Sequence, residues 1–255
     1  MKVYLNRVDG IDDAIISMYL SKRTLTRELE CDIRKTVDCF TKGYREDGAR
    51  GALAKQNEIG LCDATAAEYG KLLGYLVKLF KWGTKHITML KFVDLSFTVY
   101  GLHRGAQDDF DSHAKRMDNR IIRASTRLAN FKGGEMSDYY QGKIVPTDVA
   151  LAMLGIETPD EIEVDGNAYV RAANGYILKG KENDNDVKRG LYMLSIPSNF
   201  IFRINLTEFA HIVQNRDKDS TAAPELKECV EDMLRQVDDA TIGYANREVL
   251  HSIRN

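Results

Sequence analysis

Apolar residues recur at helical spacing early in the chain. Ile11, Ala14, Ile15 and Met18 line one face over 11–23, and Leu29, Ile33, Val37 and Phe40 repeat the pattern. Two amphipathic helices are therefore expected to open the protein. Thr65-Ala-Ala-Glu68 forms a capping box ahead of an apolar stripe, Tyr69, Leu72, Leu73, Leu76, Leu79 and Phe80, which predicts a helix ending near Gly83. Between them, 42–60 is rich in Gly, Arg, Glu and Gln without a clear period, and reads either as a loop or as a glycine-interrupted helix. From Met89 to Tyr100 the pattern changes to period two, with Val93, Leu95, Phe97 and Val99 alternating with Asp94, Ser96 and Thr98. That is the mark of a half-buried strand, with Gly101 as its expected end.

A polar helical stretch is expected over 104–130, and Pro146-Thr147 starts a short helix that stops at Gly155. Asp165-Gly166 and Asn174-Gly175 punctuate short apolar runs between Glu161 and Gly180, predicting a small antiparallel meander. A charged loop over 181–188, a buried apolar run over 191–204, and two helices at 205–215 and 224–238 complete the reading. Helices before, between and after separated strands indicate an α+β fold: a central antiparallel or mixed sheet flanked by helices. The reading divides a single 1–255 domain into a helical part at 1–82, a core at 83–232 and a C-terminal helix at 233–255.

The 255 residues carry 44% hydrophobic and 29% charged positions, enough for a real core, and a formal charge of -2 that gives no bulk attraction to nucleic acid or anionic lipid. No apolar run approaches the roughly 20 residues of a membrane span. The N-terminus does not read as a signal peptide, so a cytoplasmic location is expected. Cys31, Cys39, Cys62 and Cys229 show no paired spacing, which argues against zinc and disulfides and leaves no metal site to expect. The chemistry should therefore manage without cysteine.

The densest constellation lies between Arg104 and Arg127, where six basic side chains, His113 and a Ser125-Thr-Arg127 element follow the predicted strand end. Guanidinium forks and a serine hydroxyl suit phosphate oxygens. The competing reading is a solvated helix face on which Asp108, Asp109, Asp111 and Asp118 pair with these bases.

These residues resemble the signature of the flavin-dependent thymidylate synthases, the ThyX family, R-H-R-x-x-S-x-N-x-x-S-x-R. Ahead of it, Gly83-Thr-Lys-His86-Ile-Thr88 resembles the family's G-H-x-[ST] element. A second block, Arg189, Asn205 and Arg216 followed by Ala222-Ala223-Pro224-Glu225, keeps the family separations. The resemblance covers about 83–232. Two registers align the signature: one keeps His113 as the central histidine, flanked by Ser112 and Ala114, and is preferred because Arg104 to His113 keeps the family spacing. The other, gapless, places Lys115-Arg116-Met117 there. Arg123 stands where the family has glutamate, and Lys91 replaces an acidic residue.

The resemblance implies an enzyme that binds FAD, takes hydride from NADPH, and moves a methylene group from methylene-tetrahydrofolate onto carbon-5 of dUMP, giving dTMP. It implies nucleotide contacts from Ser125, Arg127, Arg189 and Arg216, with Ser125, Arg127 and Arg216 nearest the chemistry. Flavin contacts would come from His86, Thr88, Arg104, His113, Asn205 and His211. A homotetramer with sites between subunits is implied as well. Each residue also has a plainer role: Asn205 as a helix N-cap, His211 as a packing residue, Arg216 as a charge at a helix C-terminus, and Arg189 as part of a solvated run. Two alternatives accompany the thymidylate synthase reading. One is carbon-5 alkylation of another pyrimidine nucleotide; the other is a non-enzymatic nucleotide or nucleic-acid binding module.

Overall fold

The computed structural model describes residues 1–38, 67, 70–72, 74, 87–111, 120–125, 135–172, 174–241 and 245–253. The expectations for 42–60, for most of the capping-box helix, and for 112–119 and 126–134 fall outside them. Strand β1 (Lys2–Asp9) comes first, then α1 (Ile11–Ser21), α2 (27–38), the helical turn α3 (Ile87–Leu90) and β2 (Asp94–His103). Next come α4 (Arg104–Asp111), β3 (Arg120–Arg123), a 3₁₀ turn (Asp138–Tyr140) and α5 (Thr147–Met153). The meander β4 (Glu161–Val164), β5 (Asn167–Ala172) and β6 (Gly175–Leu178) is followed by α6 (Asn185–Lys188) and a 3₁₀ turn (Arg189–Leu191). Strand β7 (Pro197–Asn205) and helices α7 (Leu206–Arg216), α8 (Pro224–Ala240) and α9 (Arg247–Ser252) close the chain. One sheet has the order β1-β2-β7-β3 and the other β4-β5-β6.

The chain divides into two compact units through which β2 and β7 both run: one of Met1–Lys2, Val99–Asp109 and Ile122–Phe200, the other of Val3–Thr98, Phe110–Ile121 and Ile201–Asn255. In the second unit Phe97 stacks on Phe202 at 5.2 Å and on Phe209 at 5.6 Å, and Phe110 meets Phe202 edge-on at 4.9 Å. Strand β7 buries Phe200, Phe202 and Ile204 in alternation with Asn199, Ile201 and Arg203, as a strand with one covered face must. Helix α8 begins with Pro224, whose missing N–H costs nothing there, and buries Leu226, Cys229, Val230, Met233, Leu234 and Val237 at helical spacing. The added Cβ of any residue at position 10 would sit 2.0 Å from the Phe92 carbonyl oxygen, so only glycine fits, and Gly10 adopts φ 75.

In the first unit the meander follows the predicted turn chemistry. Asp165 and Gly166, both at positive φ, join β4 to β5, as a two-residue hairpin requires. At the second turn Ala172 pairs with Gly175, so Gly175 is already in the strand. Helix α5 ends on Gly155 at φ 69, with Ile156 N–H donating to Leu151 at 2.9 Å.

Several expectations need correction. The part read as helical, 1–82, opens with β1, whose buried residues Val3 and Val8 lie five apart and hide the alternation. Strand β2 starts at Asp94 and continues past Gly101 to His103, because the Gly101 N–H, at φ 77, is caught by Asn199 Oδ1 at 3.0 Å. Of the helical stretch expected over 104–130, the described residues form a helix at Arg104–Asp111, while Arg120–Arg123 is a strand paired with β7. The charged loop contains α6, whose first N–H groups at Asp186 and Val187 are accepted by Asp184 Oδ1. The apolar run is only partly buried, since Leu194 and Ile201 are exposed. The C-terminal segment holds the end of α8 and a separate α9 rather than one helix.

Candidate functional site

In the first unit the candidate site begins where β2 hands over to α4. Arg104 N–H donates to the Ile196 carbonyl and Gly105 N–H to Leu194, both at 3.0 Å, so the two strands run antiparallel and seat the helix start. From that start Arg104 Nε lies 3.5 Å from Asp108 Oδ1, one helical turn on, and Arg123 Nη1 donates to the same oxygen at 2.6 Å. One half-exposed carboxylate thus gathers two guanidinium groups. The Arg104–Asp108 pair is the one at helical spacing that the charge pattern allowed, and Arg123 reaches the same oxygen from fifteen residues further on. Two residues past Arg123, Ser125 is exposed, its position set by the Ala124 N–H donating to Asn199 at 2.8 Å.

Below this corner His103 is buried. Its ring meets Tyr140 edge-on at 4.9 Å, with the Tyr140 hydroxyl 3.3 Å from Nε2, and stacks toward Tyr139 at 6.3 Å. Lys143 Nζ lies 3.3 Å from the centre of the Tyr139 ring. Sequence reading passed over this cluster, and the only signal was the His103-Arg104 pair at a strand end.

In the second unit three of the predicted residues lie on or at the start of α7. Asn205 is its N-cap: its Oδ1 accepts the Glu208 N–H at 3.0 Å and the Thr207 hydroxyl. The plainer reading of Asn205 as a helix cap is therefore realised. His211 is partly exposed, and Asn215 Nδ2 lies 3.3 Å from its Nδ1. Arg216 is the last residue of the helix, where Nη1 donates to the Asn215 carbonyl at 3.1 Å and the cation meets the negative end of the helix dipole.

Just past it, Asp217 has a buried carboxylate met from several sides. It is 1% exposed, and Oδ2 accepts Arg247 Nη1 at 2.6 Å and lies 2.8 Å from His251 Nε2, while Oδ1 accepts the Asp219 N–H at 3.1 Å. Burial by itself would push this acid up. The hydrogen bonds from His251 and the Asp219 N–H, with the charges of Arg247 and His251, outweigh it and hold the group below the usual carboxylate range.

Of the remaining predicted residues, Thr88 is exposed on α3, and Arg189 opens the 3₁₀ turn Arg189–Leu191. His86, His113 and Arg127, with both registers of the signature, lie outside the described residues. Cys229 is fully buried and its thiol is pushed far up by burial, so it is no nucleophile. No helix among the described residues is long and apolar enough to cross a membrane.

No protein family model matches the chain, and no curated protein matches it. Solved structures do. The UMP/dUMP methylase PolB from Streptomyces cacaoi, bound with 5-Br dUMP, aligns with a TM-score of 0.50 at 13% identity, over 95% of this chain and 92% of that one. The chain has the fold of PolB. Thymidylate synthase X (ThyX) from Helicobacter pylori with FAD and dUMP aligns with a TM-score of 0.48 at 14% identity, over 98% and 100%. A second such complex aligns at 0.46 and 12%, over 92% and 93%. The mixed α+β architecture expected from the sequence is therefore observed.

Proposed function

We propose that this protein is a flavin-dependent thymidylate synthase that methylates dUMP to dTMP, with FAD as cofactor and NADPH and methylene-tetrahydrofolate as co-substrates. The observation that carries the reading is the order Arg104, Ser125, Arg189, Asn205, Arg216 along a chain that shares the fold of a UMP/dUMP methylase. The donor set fits: guanidinium, hydroxyl, amide and imidazole groups suit a phosphorylated, hydrogen-bonding cofactor and a nucleotide. Thr88, Arg104, Asn205 and His211, together with His86 and His113, would hold FAD, which supplies the redox chemistry when bound. Ser125, Arg127 and Arg189 would bind the nucleotide phosphate and sugar. Arg216 would also hold the nucleotide and, with Arg127, would stabilise negative charge on the pyrimidine, and no enzyme thiol is needed to attack the ring. A homotetramer in the cytoplasm is part of the proposal.

The test is an absorbance spectrum of protein loaded with FAD and freed of excess, followed by a dUMP titration. A retained flavin band that shifts with dUMP is expected; absence of retained flavin refutes the reading. Arg216→Ala should weaken nucleotide binding by about 1.5 to 3 kcal/mol, the range for a lost hydrogen bond to a charged group. An unchanged dissociation constant removes Arg216 from the site. A second reading is favoured by PolB's description as a UMP/dUMP methylase and by Arg123 in place of the family's glutamate: the same chemistry on another pyrimidine nucleotide. Tighter binding of UMP or dCMP than of dUMP would select it.

A further inference from the structure

The end of α7 is held from both sides by the last helix of the chain. Two residues before Arg216, Gln214 Nε2 donates to the Leu250 carbonyl at 2.8 Å and to the Ile253 carbonyl at 2.6 Å. One residue after it, Asp217 receives Arg247 and His251, also from α9. The turn that follows is closed as well. Ser220 Oγ donates to the Asp217 carbonyl at 2.7 Å, Lys218 N–H donates to Glu231 Oε1 of α8 at 3.0 Å, and Arg247 Nη2 donates to Glu231 Oε2. A surface loop needs no such enclosure, and a carboxylate 1% exposed is costly unless each lone pair is met. The residue framed by these bonds is Arg216, whose own side chain is only partly buried.

We propose that Asp217 is a positioning residue for Arg216: anchored by Arg247 and His251, it sets the C-terminal end of α7 and with it the direction of the Arg216 guanidinium toward the nucleotide. The inference rests on the reading of Arg216 as a nucleotide-binding residue. Placing a cation to within a fraction of an ångström is what distinguishes productive binding from mere proximity. Helix α9 thereby acts on nucleotide binding without touching the nucleotide. His251 and Arg247 both face Asp217, and Arg247 also meets Asp219 and Glu231.

The test is dUMP affinity by calorimetry on the full-length, FAD-loaded protein. Asp217→Asn and His251→Phe should each raise the dUMP dissociation constant by about tenfold, an ordinary coupling between linked sites, while flavin occupancy is retained. His251→Gln, which restores a donor at that place, should recover most of the loss. The deciding comparison is the double mutant: in an Arg216→Ala background His251→Phe should have no further effect on dUMP. His251 is partly exposed, so its variants keep the test open if Asp217→Asn does not fold. Wild-type affinity in the His251→Phe protein, or an equal loss with and without Arg216, overturns the inference and leaves the functional reading standing. A wild-type protein that keeps FAD but binds no pyrimidine nucleotide overturns both.

Discussion

In the unit that carries α7, α8 and α9, buried side chains and backbone press against one another, as at the Phe97 stack and Gly10, whereas in the unit that carries the β4–β6 meander the chain is shaped by turn geometry and surface pairs. Phe97, Phe202 and Phe209 stack in the first of these regions, while among the described residues of the meander Ile177 is the one buried hydrophobic. The same residue type therefore does different work in each. Gly10 is required because a carbonyl occupies the place of its Cβ; Gly166 is required only by its φ of 75, with nothing within 4 Å. Likewise one carboxylate gathers two basic side chains in each unit, but Asp217 does so buried and Asp108 half-exposed.

The glycines give the largest contrast. Gly10→Ala forces backbone apart and should cost more than about 4 kcal/mol or abolish folding. Gly166→Ala should cost only about 1 to 2 kcal/mol, the penalty of left-handed backbone for an L-residue. Urea unfolding of both variants measures the difference, and equal losses would break the contrast between packing and turn geometry. Next comes Phe209→Ala, which empties a fully buried ring site and should cost about 3 to 5 kcal/mol in the same assay. A loss near 1 kcal/mol would show that the aromatic stack can collapse onto the gap.

How much of this was legible depends on where the determining partners lie. Helices α7 and α8 announce themselves through local periodicity, and the meander through Asp165-Gly166, because neighbours in sequence suffice to specify them. Asn205 was readable as a cap for the same reason: its partner is three residues on. Arg104 with Asp108 follows the one-turn rule. By contrast β1 and the four-residue β3 are strands because distant chain pairs with them, and β3 looked helical since its charges recur at helical spacing. The Asp217 anchor joins residues 30 and 34 positions apart, so no window contains it.

Acid should separate the two carboxylates. Asp217 has a folded-state pKa below its unfolded value, so its contribution is complete above the ordinary carboxylate range and is lost as pH falls through the lower, folded value. Wild-type stability should therefore decline below about pH 4 more steeply than that of Asp217→Asn, which is weaker at neutral pH and flatter in acid. Urea midpoints between pH 7 and 2.5 measure it. Parallel curves would mean that the buried anchor contributes no linkage.

The smallest effect belongs to Asp108→Ala. Its carboxylate is half-exposed, and Arg104 and Arg123 are themselves partly in water, so solvent replaces most of what the pair supplies and stability should change by less than about 1 kcal/mol. Binding should respond in the other direction. With the carboxylate gone, Arg104 and Arg123 each lose one negative partner, and an anion placed near them should gain affinity that salt screens. Phosphate-bearing ligand affinity at low and high ionic strength distinguishes the outcomes. A gain at low salt that fades at high salt marks the Arg104–Arg123 corner as an anion seat, while a loss at both would make Asp108 the group that holds the two arginines in a binding geometry.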